Sequence, residues 1–337
     1  MNRNVRQSST SRREFLHGAV AVASVAALGR SPAAGAQERQ PASVPPPRPA
    51  QRKRVLRVAH LTDIHVQPEL KAGEGLAECL RHVQAQRDKP DLILTGGDTI
   101  MDCFEADEAR TRLQWELWKQ VLKAECSLPV ESCIGNHDVW GWHKARSKTT
   151  GSEPGWGKKW AMDMFGIQRP YRSFDRAGWR FVVLDSVFPN GDGYIGKLDD
   201  EQFEWLGAEL AAVPRGMPVL VLSHIPIFSA AALFDGQREK SGNWDVPASY
   251  MHIDARRIKD LFYKHGNVRL ALSGHLHLVD RVDYLGTTYL CNGAVCGAWW
   301  KGPHYEFSEG YALINLHDDG SFEHEYVTYG WAAPKPG

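Results

Sequence analysis

Five short polar motifs carry side chains able to hold metal ions: Asp63-Ile64-His65, Gly96-Gly97-Asp98, Gly135-Asn136-His137-Asp138, His224, and Gly274-His275-Leu276-His277. They contribute Asp63, His65, Asp98, Asn136, His224, His275 and His277, a set of oxygen and imidazole donors without thiolate. Such donors suit Mn, Fe, Zn or a mixed pair. Seven are too many for one tetrahedral ion and fit two ions sharing a bridging carboxylate. A metal pair about 3.5–4 Å apart can clamp both the attacking and the leaving oxygen of a phosphoryl transfer. The residual positive charge of such a site attracts a phosphate and stabilises its transition state. Singly, these motifs are weak, since Gly-Asp is a common turn and a lone strand-end His is usually a surface residue. The signal is their shared position along the chain.

Each motif directly follows an apolar run. Runs at 55–61, 92–95, 130–134, 219–222 and 268–272, with a sixth at 181–184, predict strands buried on both faces. Between them, 75–86, 109–123, 200–212 and 254–265 carry helical spacing. This is an α/β pattern, in which ligands sit beyond the carboxyl ends of strands. Five strand exits therefore aim at one crevice. The chain then changes character: 281–285, 288–292, 311–316 and 322–329 predict antiparallel strands, with Asp318-Asp319-Gly320 as a hairpin turn. One domain with two sheets is expected over residues 54–330, followed by a tail at 331–337.

The ordered motifs resemble the calcineurin-like metallophosphoesterases across residues 54–330. The resemblance implies two mixed β-sheets sandwiched between α-helices and a binuclear centre. Carried over motif by motif, Asp63, His65 and His277 would bind the first metal. Asn136, His224 and His275 would bind the second, and Asp98 would bridge. His137 would be the catalytic histidine, contacting the phosphate and assisting leaving-group protonation, while a metal-bridging hydroxide attacks phosphorus in line. Two departures stand out. Purple acid phosphatases place a tyrosine three residues after the bridging Asp, where this chain has Met101, so no tyrosinate-bound ferric ion is expected. Protein phosphatases pair the histidine with a carboxylate, for which Asp102 and Asp138 are the candidates. The chain is more similar to the exported bacterial branch near cyclic-nucleotide phosphodiesterases, and residues 291–302 look like a feature of some exported members.

Charge separates the N-terminus from the rest. Arg3, Arg6, Arg12, Arg13 and Arg30 face one acid, Glu14, in residues 1–36, although the whole chain balances 40 basic with 40 acidic residues. The remainder is therefore mildly acidic, which gives no reason to expect binding to a nucleic acid polymer. Ser11-Arg12-Arg13-Glu14-Phe15-Leu16 resembles a twin-arginine export signal, and Ala34-Gly35-Ala36 is a small-x-small cleavage site. Residues 37–53, rich in Pro, predict an extended linker. The absence of a run of 18 apolar residues excludes a stable membrane span. A periplasmic or secreted protein is expected, engaging the twin-arginine export machinery and then a small phosphorylated substrate.

Trp140, Trp142, Trp156, Trp160, Trp244, Trp299 and Trp300 fall in predicted loops. Such residues either pin loops with satellite cores or form a binding rim with His143, Lys144, Arg146, Lys158, Lys159, Lys301 and His304. His60 is expected in the core or orienting a ligand, while His82, His252, His265, His317 and His324 are expected as surface or packing residues. Asp185 is expected to support the site or cap a turn. Of the six Cys, Cys291 and Cys296 are the nearest candidate disulfide pair. The expected function is hydrolysis of a phosphodiester or phosphomonoester, the diester preferred. A non-catalytic cell-envelope binding module retaining the fold is the alternative.

Overall fold

Alternation along the strand Arg54–Leu61 sends Leu56 and Val58 to one face and Ala59 and Leu61 to the other, and both faces are covered. The same parity holds for Leu92 and Leu94 against Ile93, and for Leu220 and Leu222 against Val219 and Val221. Such strands need partners on both sides. The structure, a computed structural model, describes residues 52–334. The expected export signal, the linker up to residue 51 and residues 335–337 lie outside the described residues.

Two mixed sheets result. The first orders Phe322–Thr328, Gly310–His317, Arg54–Leu61, Leu92–Thr95 and Val130–Ser132, the last three parallel. The second orders Asp280–Tyr284, Thr287–Cys291, Val268–Ser273, Val219–Leu222, Trp179–Val183 and Arg172–Arg176, with the two edge strands antiparallel. Leu56, Leu94, Phe181, Leu222, Leu272 and Ile314 interleave between the sheets. The outer face of the first sheet packs on helices Ala72–Gln84 and Glu108–Glu125, and that of the second on Asp200–Ala212 and Ala255–His265. The expected sandwich of two mixed sheets between helices is therefore present. Each fully buried Leu, Ile or Phe in these layers contributes about 1.5–3 kcal/mol.

The element limits moved by a few residues, with physical causes. The expected strand 130–134 ends at Ser132 because its partner strand Leu92–Thr95 ends there, Cys133 N to Thr95 O being the last bond between them. Helix Glu108–Glu125 starts early, its first turn capped by the Asp107 carboxylate accepting from Arg110 N. Trp160 lies in the short helix Lys159–Phe165 and Trp244 in the strand Asn243–Trp244, so neither is in a loop. Trp331, at the start of the expected tail, packs edge-on against Trp300.

Candidate metal centre

Parallel strands within each sheet leave their carboxyl ends on one side, and the loops there bind one another before any side chain is considered. Asp63 N bonds Gly97 O, His65 N bonds Asp98 O, and Gly274 N bonds His224 O. Val295 N bonds Thr62 O, tying the second sheet to the first. Glycine is required where these loops meet. A Cβ on Gly274 would stand 1.9 Å from Thr62 Oγ1, and one on Gly135 would stand 2.1 Å from Asp98 Oδ1.

Asp63, His65, Asp98, His275 and His277 all have left-handed backbones, with φ between 46° and 73°. Residues with side chains adopt this region at a cost of about 1–3 kcal/mol each, and such strain concentrates at functional sites. The interlocked loops hold it in place. No pattern in the sequence announced it.

All seven expected metal-binding residues converge, in two groups. His65 Nε2 lies 3.2 Å from His277 Nε2, and His277 Nε2 lies 3.5 Å from Asp63 Oδ1. His224 Nε2 lies 3.1 Å from Asn136 Oδ1 and 3.2 Å from His275 Nδ1. Asp98 Oδ2 reaches both groups, at 3.6 Å from His65 Nε2 and 3.2 Å from His224 Nε2. Its Oδ1 accepts from His137 N at 2.8 Å. The Asp63 carboxylate accepts from Thr62 Oγ1 and from His275 N.

The far ring nitrogens assign the protons. His65 Nδ1 faces Met101 O, His277 Nδ1 faces Gly297 O at 2.6 Å, His224 Nδ1 faces Gly96 O at 2.8 Å, and His275 Nε2 faces Ser249 O at 2.8 Å. Only an N–H can donate to a carbonyl, so in a neutral ring held this way the site-facing nitrogen carries the lone pair. His65 and His277 thus set two bare nitrogens 3.2 Å apart, an arrangement that a cation satisfies. Burial and His137 keep His65 well below its usual pKa, and burial with His224 pushes His275 down to about 3. Burial would lower His224, but Asp98 outweighs it and raises the group to about 9. The proton so held is one that a bound cation displaces. Burial would raise Asp98, yet His224, His137 and His65 hold it well below the carboxylate range. Buried carboxylates and converging lone pairs fit metal ions by charge and by donor type.

His137 lines the same cavity beside His65, ring centroids 4.8 Å apart. Its Nδ1 lies 3.5 Å from Asp102 Oδ1, an ion-pair distance without hydrogen-bond geometry. Asp102 is the carboxylate partner. Asp138 instead accepts from Thr99 N and Gly135 N and closes the turn at Asn136–Asp138. Burial would lower His137, but Asp98 and Asp102 raise it to about 9.

The cavity measures about 210 Å³ and is also lined by Tyr194, Asp235, Tyr250, Leu276, Trp299 and His304. Of the aromatic and basic residues expected at a rim, only Trp299 and His304 reach it. Trp140, Trp142 and Trp160 pack on the core, and Trp300 is fully buried with Nε1 donating to His65 O. Lys144 sits over Trp156, Lys158 binds Asp185, and Arg146 pairs with Glu105. Asp185 thus holds a loop in place. His60 is buried, with Nδ1 facing Asn292 Nδ2 at 2.8 Å, and His324 meets the other end of that amide. His252, expected to pack, is buried against Asp254 at 2.9 Å.

All six cysteines are free. Cys291 packs with Leu276 and Leu278, whereas Cys296 packs under the first sheet, so the expected pair is not a disulfide. Cys296 Sγ instead lies within 4.8 Å of ligand atoms of His65 and His277. The spacing 291–296 suggests a pair and carries no sign of this thiol's place beside the two histidines.

Residues 56–279 match the family model described as calcineurin-like phosphoesterase. A probable cyclic nucleotide phosphodiesterase of Synechococcus sp. is 26% identical, covering 79% of this chain and 90% of its own. A 3',5'-cyclic adenosine monophosphate phosphodiesterase of Haemophilus influenzae is 23% identical, covering 81% of this chain and 90% of its own. The fold is similar to that of a dimetal phosphatase from Danio rerio, with a TM-score of 0.55 at 16% identity, covering 82% of this chain and all of that one.

Proposed function

The chain belongs to the calcineurin-like phosphoesterase family and is a metal-dependent phosphoric ester hydrolase, and from that premise we propose that it is an exported phosphodiesterase with two metal ions. Asp63, His65 and His277 would hold one ion, Asn136, His224 and His275 the other, with Asp98 shared. The observation that carries this reading is the pair of bare imidazole nitrogens 3.2 Å apart at His65 and His277, matched by a second donor group that shares only Asp98 with it. Two ions of Mn, Fe or Zn would supply an activated water for in-line attack and neutralise the charge that builds on the phosphoryl oxygens.

The protein's own groups do the rest. Backbone carbonyls at Met101, Gly297, Gly96 and Ser249 fix the ring orientations. Asp102 stands behind Nδ1 of His137, which leaves Nε2 to meet a phosphoryl oxygen or hand a proton to the departing alkoxide. The small cavity fits a phosphoryl group with short stretches of its ester arms, in keeping with a small substrate. Similarity to proteins named as cyclic nucleotide phosphodiesterases favours a diester.

A panel of chromogenic mono- and diesters with added Mn, Zn or Fe tests this reading. Diester turnover above that of His137→Ala supports it; metal-loaded protein that cleaves neither class contradicts it. Export to the periplasm or beyond rests on Arg12-Arg13 and Ala34-Gly35-Ala36. Replacing both arginines by lysine should retain the protein in the cytoplasm by cell fractionation, and unchanged export would exclude the twin-arginine route.

A further inference from the structure

We infer that the cavity mouth is an ester-arm subsite that selects a ring-bearing or apolar group with no further negative charge, an assignment that rests on the phosphodiesterase reading above. The cavity, at about 210 Å³, falls below the about 300–1,000 Å³ of pockets that enclose drug-sized ligands. Most of a larger ester arm must therefore lie outside it.

What lies outside is aromatic. Asp235 and His304 line the cavity, and their chain neighbours Phe234 and Tyr305 are 68% and 55% exposed. Trp244, 53% exposed, meets the Phe234 ring edge-on at 6.4 Å between centroids. Tyr305 Oη stands 3.5 Å from Asp235 Oδ1, which brings the two segments together at the mouth. Exposed apolar residues scattered singly need no explanation, but a cluster continuous with a reaction cavity marks a binding surface.

The segment bearing Phe234 is anchored at its base. Ala231 and Ala232 are buried, and Asp280 accepts from Ser229 Oγ and Ala231 N. The Phe234 ring is therefore presented on a fixed frame, which reduces the ordering cost of binding.

Charge sets the selection. Among the described residues that line the cavity there is no Lys or Arg, and Asp235 has no ion-pair partner within 4 Å among the described residues. The nearby Arg238 guanidinium lies over the Tyr250 ring at 4.3 Å. An ester arm with its own phosphate or carboxylate would meet at the mouth an Asp235 carboxylate that no lysine or arginine neutralises, which disfavours it.

Calorimetric titration of the metal-loaded protein with phenylphosphonate and methylphosphonate tests the subsite without turnover. Wild type should prefer the phenyl compound by about tenfold or more. The double variant Phe234→Ala/Trp244→Ala changes exposed residues and should lose most of that preference while binding methylphosphonate unchanged. Asp235→Asn should strengthen binding of 4-carboxyphenylphosphonate several-fold more than it strengthens binding of phenylphosphonate. A retained phenyl preference in the double variant, or no such excess in Asp235→Asn, overturns the assignment. A wild-type oligomer that dissociates in the double variant by sedimentation also overturns it, because the patch is then a contact between copies. Metal-loaded wild type that binds neither phosphonate overturns the phosphodiesterase reading along with it.

Discussion

Asp102→Asn isolates the carboxylate behind His137, the proposed catalytic histidine, with little other disturbance. Asn keeps an oxygen for the backbone bonds from Phe104 N and Glu105 N that the native carboxylate accepts. The charge is removed, together with the longer contact of Glu105 N with Oδ2 at 3.3 Å. At 3.5 Å from His137 Nδ1, with the two side chains 30% and 28% exposed, the pair lies between the water limit of about 1 kcal/mol and the near-surface value of about 4 kcal/mol. Solvent screening favours the lower half, about 1–2 kcal/mol, so turnover should fall about 5- to 30-fold. Asp102 is one of the groups that raise His137 against the lowering effect of burial, so its loss lowers that pKa. Activity that needs His137 protonated disappears as pH rises through its pKa, and the variant should lose activity about one pH unit earlier. The assay is kcat against pH for wild type, Asp102→Asn, His137→Ala and the double variant, with metal content measured in each. In the His137→Ala background Asp102→Asn should cost almost nothing further. An equal cost in both backgrounds, or an unmoved alkaline limb, refutes the pairing.

Three other perturbations probe the scaffold. Trp300→Ala removes a fully buried ring and its bond to His65 O, and should cost about 3–5 kcal/mol, read as a lower Tm and weaker metal retention. Burial would raise Asp254, but its contact with His252 outweighs this and lowers the pKa, so the pair stabilises the fold above the unfolded carboxylate range and less as pH falls through the folded value. Asp254→Asn should therefore destabilise by about 1–2 kcal/mol near pH 7, with the gap closing below about pH 4 in denaturant titrations. With all six thiols free, dithiothreitol should leave activity and Tm unchanged while metal is retained; loss of activity with metal still bound would show a required disulfide.

The strands that carry the centre were legible because their apolar residues alternate between two buried layers, and because each motif begins where the apolar run stops. Local order along the chain was enough to gather seven donors. The edge strand Arg172–Arg176 was not legible, since it pairs on one side only and its residues are half exposed. The left-handed backbones at Asp63, His65 and Asp98 arise from bonds between loops distant in sequence, which no local pattern encodes. The same holds for the loop tryptophans. Trp299 and Trp300 are neighbours in left-handed conformation, yet one lines the cavity and the other is buried beneath His65. Asp102 rather than Asp138 is the partner of His137 because its Oδ1 stands 3.5 Å from Nδ1, whereas the fully buried Asp138 carboxylate closes its own turn on Thr99 N and Gly135 N.

Metal stoichiometry bears most directly on the proposed two-ion centre. Protein purified with Mn, Zn or Fe present and dialysed should retain two ions per chain by plasma mass spectrometry. His277→Ala should retain about one, because the donors at His224, His275 and Asn136 are untouched, whereas Asp98→Ala should weaken both sites. Wild type saturating at a single ion, or Asp98→Ala still holding two tightly, would contradict a centre built from two donor groups around one shared carboxylate.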